Sequence, residues 1–157
     1  MKSSHFDNKG YARMVDISSK RPTKRVAVAC CKIFMKKDTY EMIKKGKHKK
    51  GDVLSISRIA GIMSVKKTHE LIPLCHPLNV EAVDIEFKLD DMTNSVEIIT
   101  TCKTTNKTGI EMEALTAASV SSLTIYDMCK SVDKSMYINS LMLMHKSGGR
   151  SGVYNKK

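Results

Sequence analysis

Apolar and polar residues alternate along the chain in different rhythms, and each rhythm predicts an element. Val26-Ala27-Val28-Ala29-Cys30-Cys31-Lys32-Ile33-Phe34 is a β-branched, small-residue run that predicts a buried strand. Asp38 followed by Glu41 is a helix-start signal, and Gly46 suits the end of that helix. Val53, Ile56, Ile59, Ala60 and Met63 recur at spacings of three and four. They predict a second helix from Asp52 to about Glu70, with Lys66 and Lys67 near its C-terminal turn, where positive charge is favoured. After a link bracketed by Pro73 and Pro77, Val83–Leu89 alternates as a half-buried strand. Asp90–Asn94 reads as a turn and Ser95–Thr104 as the returning strand of a hairpin. A long apolar helix follows over 110–130, then a last strand over Met136–His145.

The order β-α-α-β-β-α-β predicts an α+β, ferredoxin-like antiparallel sheet with helices packed on one face and one additional helix. We divide the chain into a polar arm at 1–24, a domain at 25–146 and a basic Gly/Ser-rich tail at 147–157. The helix at 110–130 is the most informative segment. No charge interrupts it between Glu113 and Asp127, so most of its circumference must be buried. Such a helix carries Glu111 and Glu113 at one end and Asp127 with Lys130 at the other, and charges at the rim of a buried element are costly unless paired or used. Asp127 and Lys130 share a helix face, as an ordinary surface ion pair or as an acid/base pair. Glu113 and Asp127 stand roughly 21 Å apart along a continuous helix. Either a ligand is long, or the two ends serve different sites, including sites in different subunits.

The formal net charge is +11, which points to an anionic partner: nucleic acid, a membrane surface or a phosphorylated metabolite. Tryptophan is absent, and no block resembles a base-stacking platform. No apolar run is long enough to span a membrane, and the first residues lack the apolar stretch of a secretory signal. Five cysteines without C-x-x-C spacing predict reduced thiols and a cytoplasmic location.

Four polar segments could carry chemistry besides the long helix. Lys44–Asp52 is a basic loop, either solvated or an anion site beside the helix start, with Lys50 next to Gly51. Leu71-Ile72-Pro73-Leu74-Cys75-His76-Pro77 fixes how Cys75 and His76 project. Adjacent Cys and His seldom close on one metal ion, and in an extended segment they would point in opposite directions, which argues against a nucleophile–base pair. Thr105–Gly109 can offer N–H groups to an anion but is not a Walker A loop. Lys146-Ser147-Gly148-Gly149-Arg150-Ser151-Gly152 can wrap phosphates, or be a disordered tail.

The blocks His48–Val53, Arg58–Ile62, Leu71–Pro77, Thr108–Ala117, Leu123–Lys130 and Lys146–Gly149 together resemble the cyclic pyranopterin monophosphate synthases, the C proteins of molybdenum cofactor biosynthesis. The similarity is collinear from about Met14 to Gly152. It implies conversion of 3′,8-cyclo-7,8-dihydroguanosine 5′-triphosphate to cyclic pyranopterin monophosphate plus pyrophosphate, without a redox cofactor and with no metal site assigned. It also implies a homohexamer, a trimer of dimers, with active sites between subunits and neither nucleic acid nor membrane as partner. By this resemblance Asp127, Lys50 and Lys130 are catalytic, and Leu74, Cys75, His76, Met112 and Glu113 contact substrate. Arg25, Lys66 and Lys146 would bind phosphate or position the ligand. Position 150 is Arg where the family pattern implies Lys, which exchanges a point charge for a planar, bidentate one. The rival reading is a basic, nucleic-acid-binding ferredoxin-like domain.

Overall fold

The computed structural model describes residues 5–49 and 51–157. Nine elements follow one another: β1 Thr23–Phe34, α1 Lys37–Lys44, α2 Val53–Val65, α3 Thr68–Leu71, β2 Ala82–Asp90, β3 Ser95–Asn106, α4 Glu111–Cys129, β4 Tyr137–Ser147 and β5 Tyr154–Asn155. The sheet is antiparallel throughout, in the order β2-β3-β1-β4-β5. Its first four strands have the ferredoxin-like arrangement, and α4 and α2 form the helical layer against the sheet. The expected α+β class and its ferredoxin-like sheet are therefore present, with α1 and the one-turn α3 as additions.

The register explains the layer. Ala27, Ala29, Cys31 and Ile33 alternate along β1 and are all fully buried. Their neighbours on β3 include Cys102, Thr100 and Ile98. These small side chains let α4 lie close to the sheet, and its own Ala114, Ala117 and Ala118 leave no gap. Hydrogen bonds to helix carbonyls fix the approach: the Thr100 hydroxyl donates to Ala114 O at 2.7 Å and the Cys31 thiol to Ala118 O at 3.3 Å. On its other side α4 meets α2. There the Ser57 hydroxyl donates to Ser121 O at 2.7 Å and the Ser121 hydroxyl returns to Ser57 O at 3.2 Å. The small residues of α4 are thus largely consumed inside one chain.

Local chemistry accounts for most boundaries. Asp52 caps α2 by accepting from the N–H groups of Leu54 and Ser55, each at 3.0 Å. Gly46, at φ +62°, closes the stretch after α1, and Asp90 accepts from Met92 and Thr93 N–H in the hairpin turn. The helix expected to run from Asp52 to Glu70 is interrupted after Val65. Ser64 bonds back to Gly61 O and Thr68 to Ser64 O, giving the backbone alternatives to continued i→i−4 bonding. Lys66 is consequently the C-cap of α2. Asp38 lies inside the first turn of α1 rather than capping it; the N-cap is Lys36, which has no side-chain cap of its own. The missing cap comes from Asp133, a residue 97 positions away that accepts from Lys36 N–H at 2.8 Å. The arm and tail carry more order than their composition suggests. Phe6 and Ala12 form an isolated bridge, and β5 pairs with β4.

Gly61 sits where α2 crosses α4. A Cβ there would run into the Ser121 hydroxyl and the Ala117 carbonyl. Gly61→Val should therefore destabilise the fold by about 1–3 kcal/mol or more through overpacking. Urea denaturation checks this; an unchanged midpoint would mean that the helices are not in such close contact.

Candidate active site

Two adjoining cavities open where the N-terminal end of α4 meets the start of β1, the Pro-bracketed link and the tail. The smaller, about 250 Å³, is walled by Leu74, Cys75, His76 and Leu78 from the link and by Glu111, Met112 and Glu113 from α4. Val15, Ile17 and Lys20 of the arm close it. The larger, about 800 Å³, is lined by Lys20, Arg21, Arg25, Lys107 and Arg150, with Glu111 its one acidic side chain. Lys20, Thr108, Gly109 and Glu111 border both, so the cavities lie side by side.

Leu74, Cys75 and His76 all line the small cavity, although an extended segment would send consecutive side chains to opposite sides. The reason is a turn: Cys75 N–H bonds to Ile72 O at 3.0 Å, so the segment curls instead of staying extended. Burial, with the negative charge of Glu113 adding to it, pushes the Cys75 thiol above its ordinary value and keeps it protonated. It is a poor nucleophile in this setting. Glu113 is only 4% exposed, and burial holds its carboxyl above the usual range. Its own N–H opposes that shift and the charge of Glu111 reinforces it. Both carboxylates lie in the first turn of α4, whose N-cap Ile110 cannot cap with a side chain, so they face the positive end of the helix dipole.

The basic cavity is organised around Arg25. Its guanidinium donates to Lys107 O at 3.4 Å, while its Nε is buried without a hydrogen-bond partner. Gly148 and Gly149, at φ +92° and +75°, pass over it; side chains there would collide with Lys24 O and with the guanidinium itself. The tail glycines therefore permit a close approach of backbone to Arg25. Lys146 pairs with Glu111 at 3.5 Å and bonds to the Ser151 hydroxyl. Lys107 donates to Ser18 O at 2.9 Å and ties the arm to the mouth.

The structure gathers Leu74, Cys75, His76, Met112, Glu113, Arg25 and Lys146 at this end of the molecule. It does not bring Asp127, Lys130 or Lys66 there within one chain. Asp127 and Lys130 pair at 2.6 Å at the opposite end of an unbroken α4. Both are more than half exposed, and the hydrogen bond to Asp127 holds the Lys130 ammonium above its ordinary value. Lys66 is exposed beside a separate cleft of about 440 Å³ that shares Leu78 with the small cavity. Lys50 lies outside the described residues. Lys20 and Arg21 carry no signal in the periodicity of the arm, and only the paired cations just before β1 mark them; Lys107 lies in the Thr105–Gly109 segment expected to meet an anion. Among the described residues, no group of three or more His, Cys, Asp or Glu could hold a metal ion, and no helix is long and apolar enough to cross a membrane.

Fold and cavities together define a ferredoxin-like α+β protein with a basic bowl opening onto a pocket that is partly apolar and holds a buried carboxylate, an arrangement suited to a small, multiply charged anion. Residues 14–149 match the MoaC family, and the chain belongs to it. The chain is 54% identical over 151 residues to the cyclic pyranopterin monophosphate synthase of Heliobacterium modesticaldum, covering 96% of this chain and 95% of that one. Proteins of the same name from Clostridium botulinum and Pelotomaculum thermopropionicum are 53% and 51% identical, each across 98% of this chain and covering 96% and 91% of theirs.

The raised carboxyl of Glu113 has a signed consequence. A carboxyl whose folded value lies above its unfolded one supports folding fully below the unfolded value, and that support is lost as pH rises through the folded value. Glu113→Gln should melt at a higher temperature than the parent at neutral pH, with the gap closing by about pH 4. Melting curves across that range test it, and a gap independent of pH would contradict it.

Proposed function

We propose that this chain is a cyclic pyranopterin monophosphate synthase of molybdenum cofactor biosynthesis, acting on 3′,8-cyclo-7,8-dihydroguanosine 5′-triphosphate. The observation that carries the reading is the adjacency of the two cavities, which share four lining residues, since the substrate has two matching halves. Its triphosphate suits the bowl of Arg25, Lys20, Arg21, Lys107 and Arg150, with Lys146 at its edge. Its guanine-derived ring suits the pocket of Leu74, Cys75, His76 and Met112, where the buried Glu113 can accept from ring N–H groups. The name shared by relatives about half identical over nearly the full chain supports this enzyme over a nucleic-acid-binding domain. Free, mostly buried cysteines fit a reducing cytoplasm.

Closing the cyclic phosphate forms a bond between a sugar oxygen and the α-phosphorus while pyrophosphate leaves. The cations stabilise the departing charge, and the sugar hydroxyl must surrender a proton. Rebuilding the ring requires further proton transfers. We assign these to Asp127, Lys130 and Lys50, with Asp127 and Lys130 supplied to the cavities from a neighbouring subunit and Lys50 from a different chain than theirs. The separation along α4 supports a shared site, as does an exposed apolar ridge of Ile56, Ile59 and Met63 on α2 that suits a symmetric contact. We propose the hexameric trimer of dimers on these grounds. Lys66, beside the cleft at Leu78, would meet the substrate or the neighbouring chain there.

Purified protein incubated with the cyclic triphosphate should release pyrophosphate and yield a pterin product. Asp127→Asn and Lys130→Ala should each lower turnover about 10²–10⁴-fold, with much smaller effects on substrate affinity. Near-normal turnover in either variant, with assembly intact, removes that residue from the chemistry. Lys50→Ala and Asp127→Ala, each inactive alone, should regain partial activity when refolded together. Mixed assemblies as inactive as the parents would place both residues in one chain's site.

A further inference from the structure

Asp133 is a buried charged group with no part in the chemistry above, yet it lies just beyond the helix end that bears Asp127 and Lys130. Its residue is 1% exposed, and its carboxylate accepts four hydrogen bonds from two segments of the chain. Oδ2 takes Lys36 N–H at 2.8 Å and the Thr39 hydroxyl at 3.3 Å, both at the start of α1. Oδ1 takes Ser135 N–H at 2.9 Å and the Ser135 hydroxyl at 2.6 Å, on the approach to β4. The backbone N–H of Asp133 donates to Cys129 O at 3.0 Å and so closes the turn that ends α4. One residue therefore ties together the end of α4, the start of α1 and the lead into β4. Burial alone would push its carboxyl up, but the four donors outweigh that and hold it at about 2, so the clamp stays charged at any physiological pH.

We propose that Asp133 is a positioning residue: by fixing the chain immediately after α4 it keeps the last helical turn wound and holds the Asp127–Lys130 pair in working geometry. The inference rests on the assignment of that pair to proton transfer. The pair needs such support because of where it sits. Helix ends fray, and both side chains are more than half exposed, so burial does not hold them. Their i,i+3 contact exists only while the last turn is wound. Lys130 N–H bonds to Tyr126 O at 2.8 Å, and the next two links, Val132 and Asp133 N–H to Cys129 O, run through the clamped turn. Loss of the carboxylate would free this turn while leaving both cavities, at the other end of α4, untouched.

The test is Asp133→Asn, which keeps the size but sets an amide NH₂ against one of the two N–H donors. At a temperature where the variant is fully folded, kcat should fall roughly tenfold or more, as displaced catalytic groups do, while KM stays within about twofold of the parent, because the affinity-determining cavities are remote. Amide exchange at residues 128–131 should quicken in step, as local opening becomes easier. Tyr40→Phe serves as control. It removes the 2.6 Å hydrogen bond between Tyr40 and Asp91 on the same helix α1 but none to α4, and should lower stability without changing kcat. If Asp133→Asn does not fold, Ser135→Ala, which deletes one of the four bonds, should show the same split on a smaller scale. A folded Asp133→Asn or Ser135→Ala protein with parental kcat overturns the positioning role alone. A parent protein that makes no product overturns the functional reading, and the positioning role with it.

Discussion

The close seating of α4 between the sheet and α2 governs the rest of the molecule. Its contact surfaces are mostly Ala, Ser and Cys, with Ile125 and Met128 toward the C-terminal end, so much of the attraction comes from tight backbone approach. At such short range polar groups must be satisfied. The Thr100 and Ser57 hydroxyls and the Cys31 thiol therefore donate to second lone pairs of helix carbonyls. Gly61 is required by the same geometry, because a Cβ there would run into the Ser121 hydroxyl and the Ile85 side chain. A helix held on two sides in this way runs unbroken for 19 residues. Its two charged ends are as rigidly separated as its length dictates.

That rigidity is what gives the site its divided character. Segments without regular structure supply the cavity walls, and the rigid layer beneath fixes where they converge. At the N-terminal end, Glu111 and Glu113 meet the helix dipole and the cations of the arm, β1 and tail. At the C-terminal end, Asp127 and Lys130 pair with one another on the surface. Neither half forms a complete acid–base site around one ligand. The symmetric assembly proposed above would bring one chain's far end to another's cavities without distorting the fold.

The glycines of the tail illustrate how a segment of low complexity acquires a defined task. Gly148 and Gly149 adopt left-handed conformations in direct contact with Arg25 and the Lys24 carbonyl, so the strip is shaped by the residue it covers. β5 then secures the strip against β4. The arm is secured from the other side by Lys107. Two chain ends thus become walls of the same basic cavity.

The sequence by itself determined the order of the main strands and helices, the start of α2 at Asp52 and the buried character of α4. Periodicity and capping are local, and each is decided by residues within one or two turns of one another. The motif blocks also marked Leu74–His76, Met112 and Glu113 as a set, though not that a turn at Ile72–Cys75 would bring three consecutive residues to the wall of one cavity. Only the tertiary structure decided that the polar arm delivers Lys20 and Arg21, that Lys66 falls in a helix break, and that Asp133 caps a helix 97 positions upstream. The reason is physical. Such contacts depend on which segments the small-residue packing of α4 brings together, and a buried carboxylate finds its donors in space, where separation along the chain carries no information.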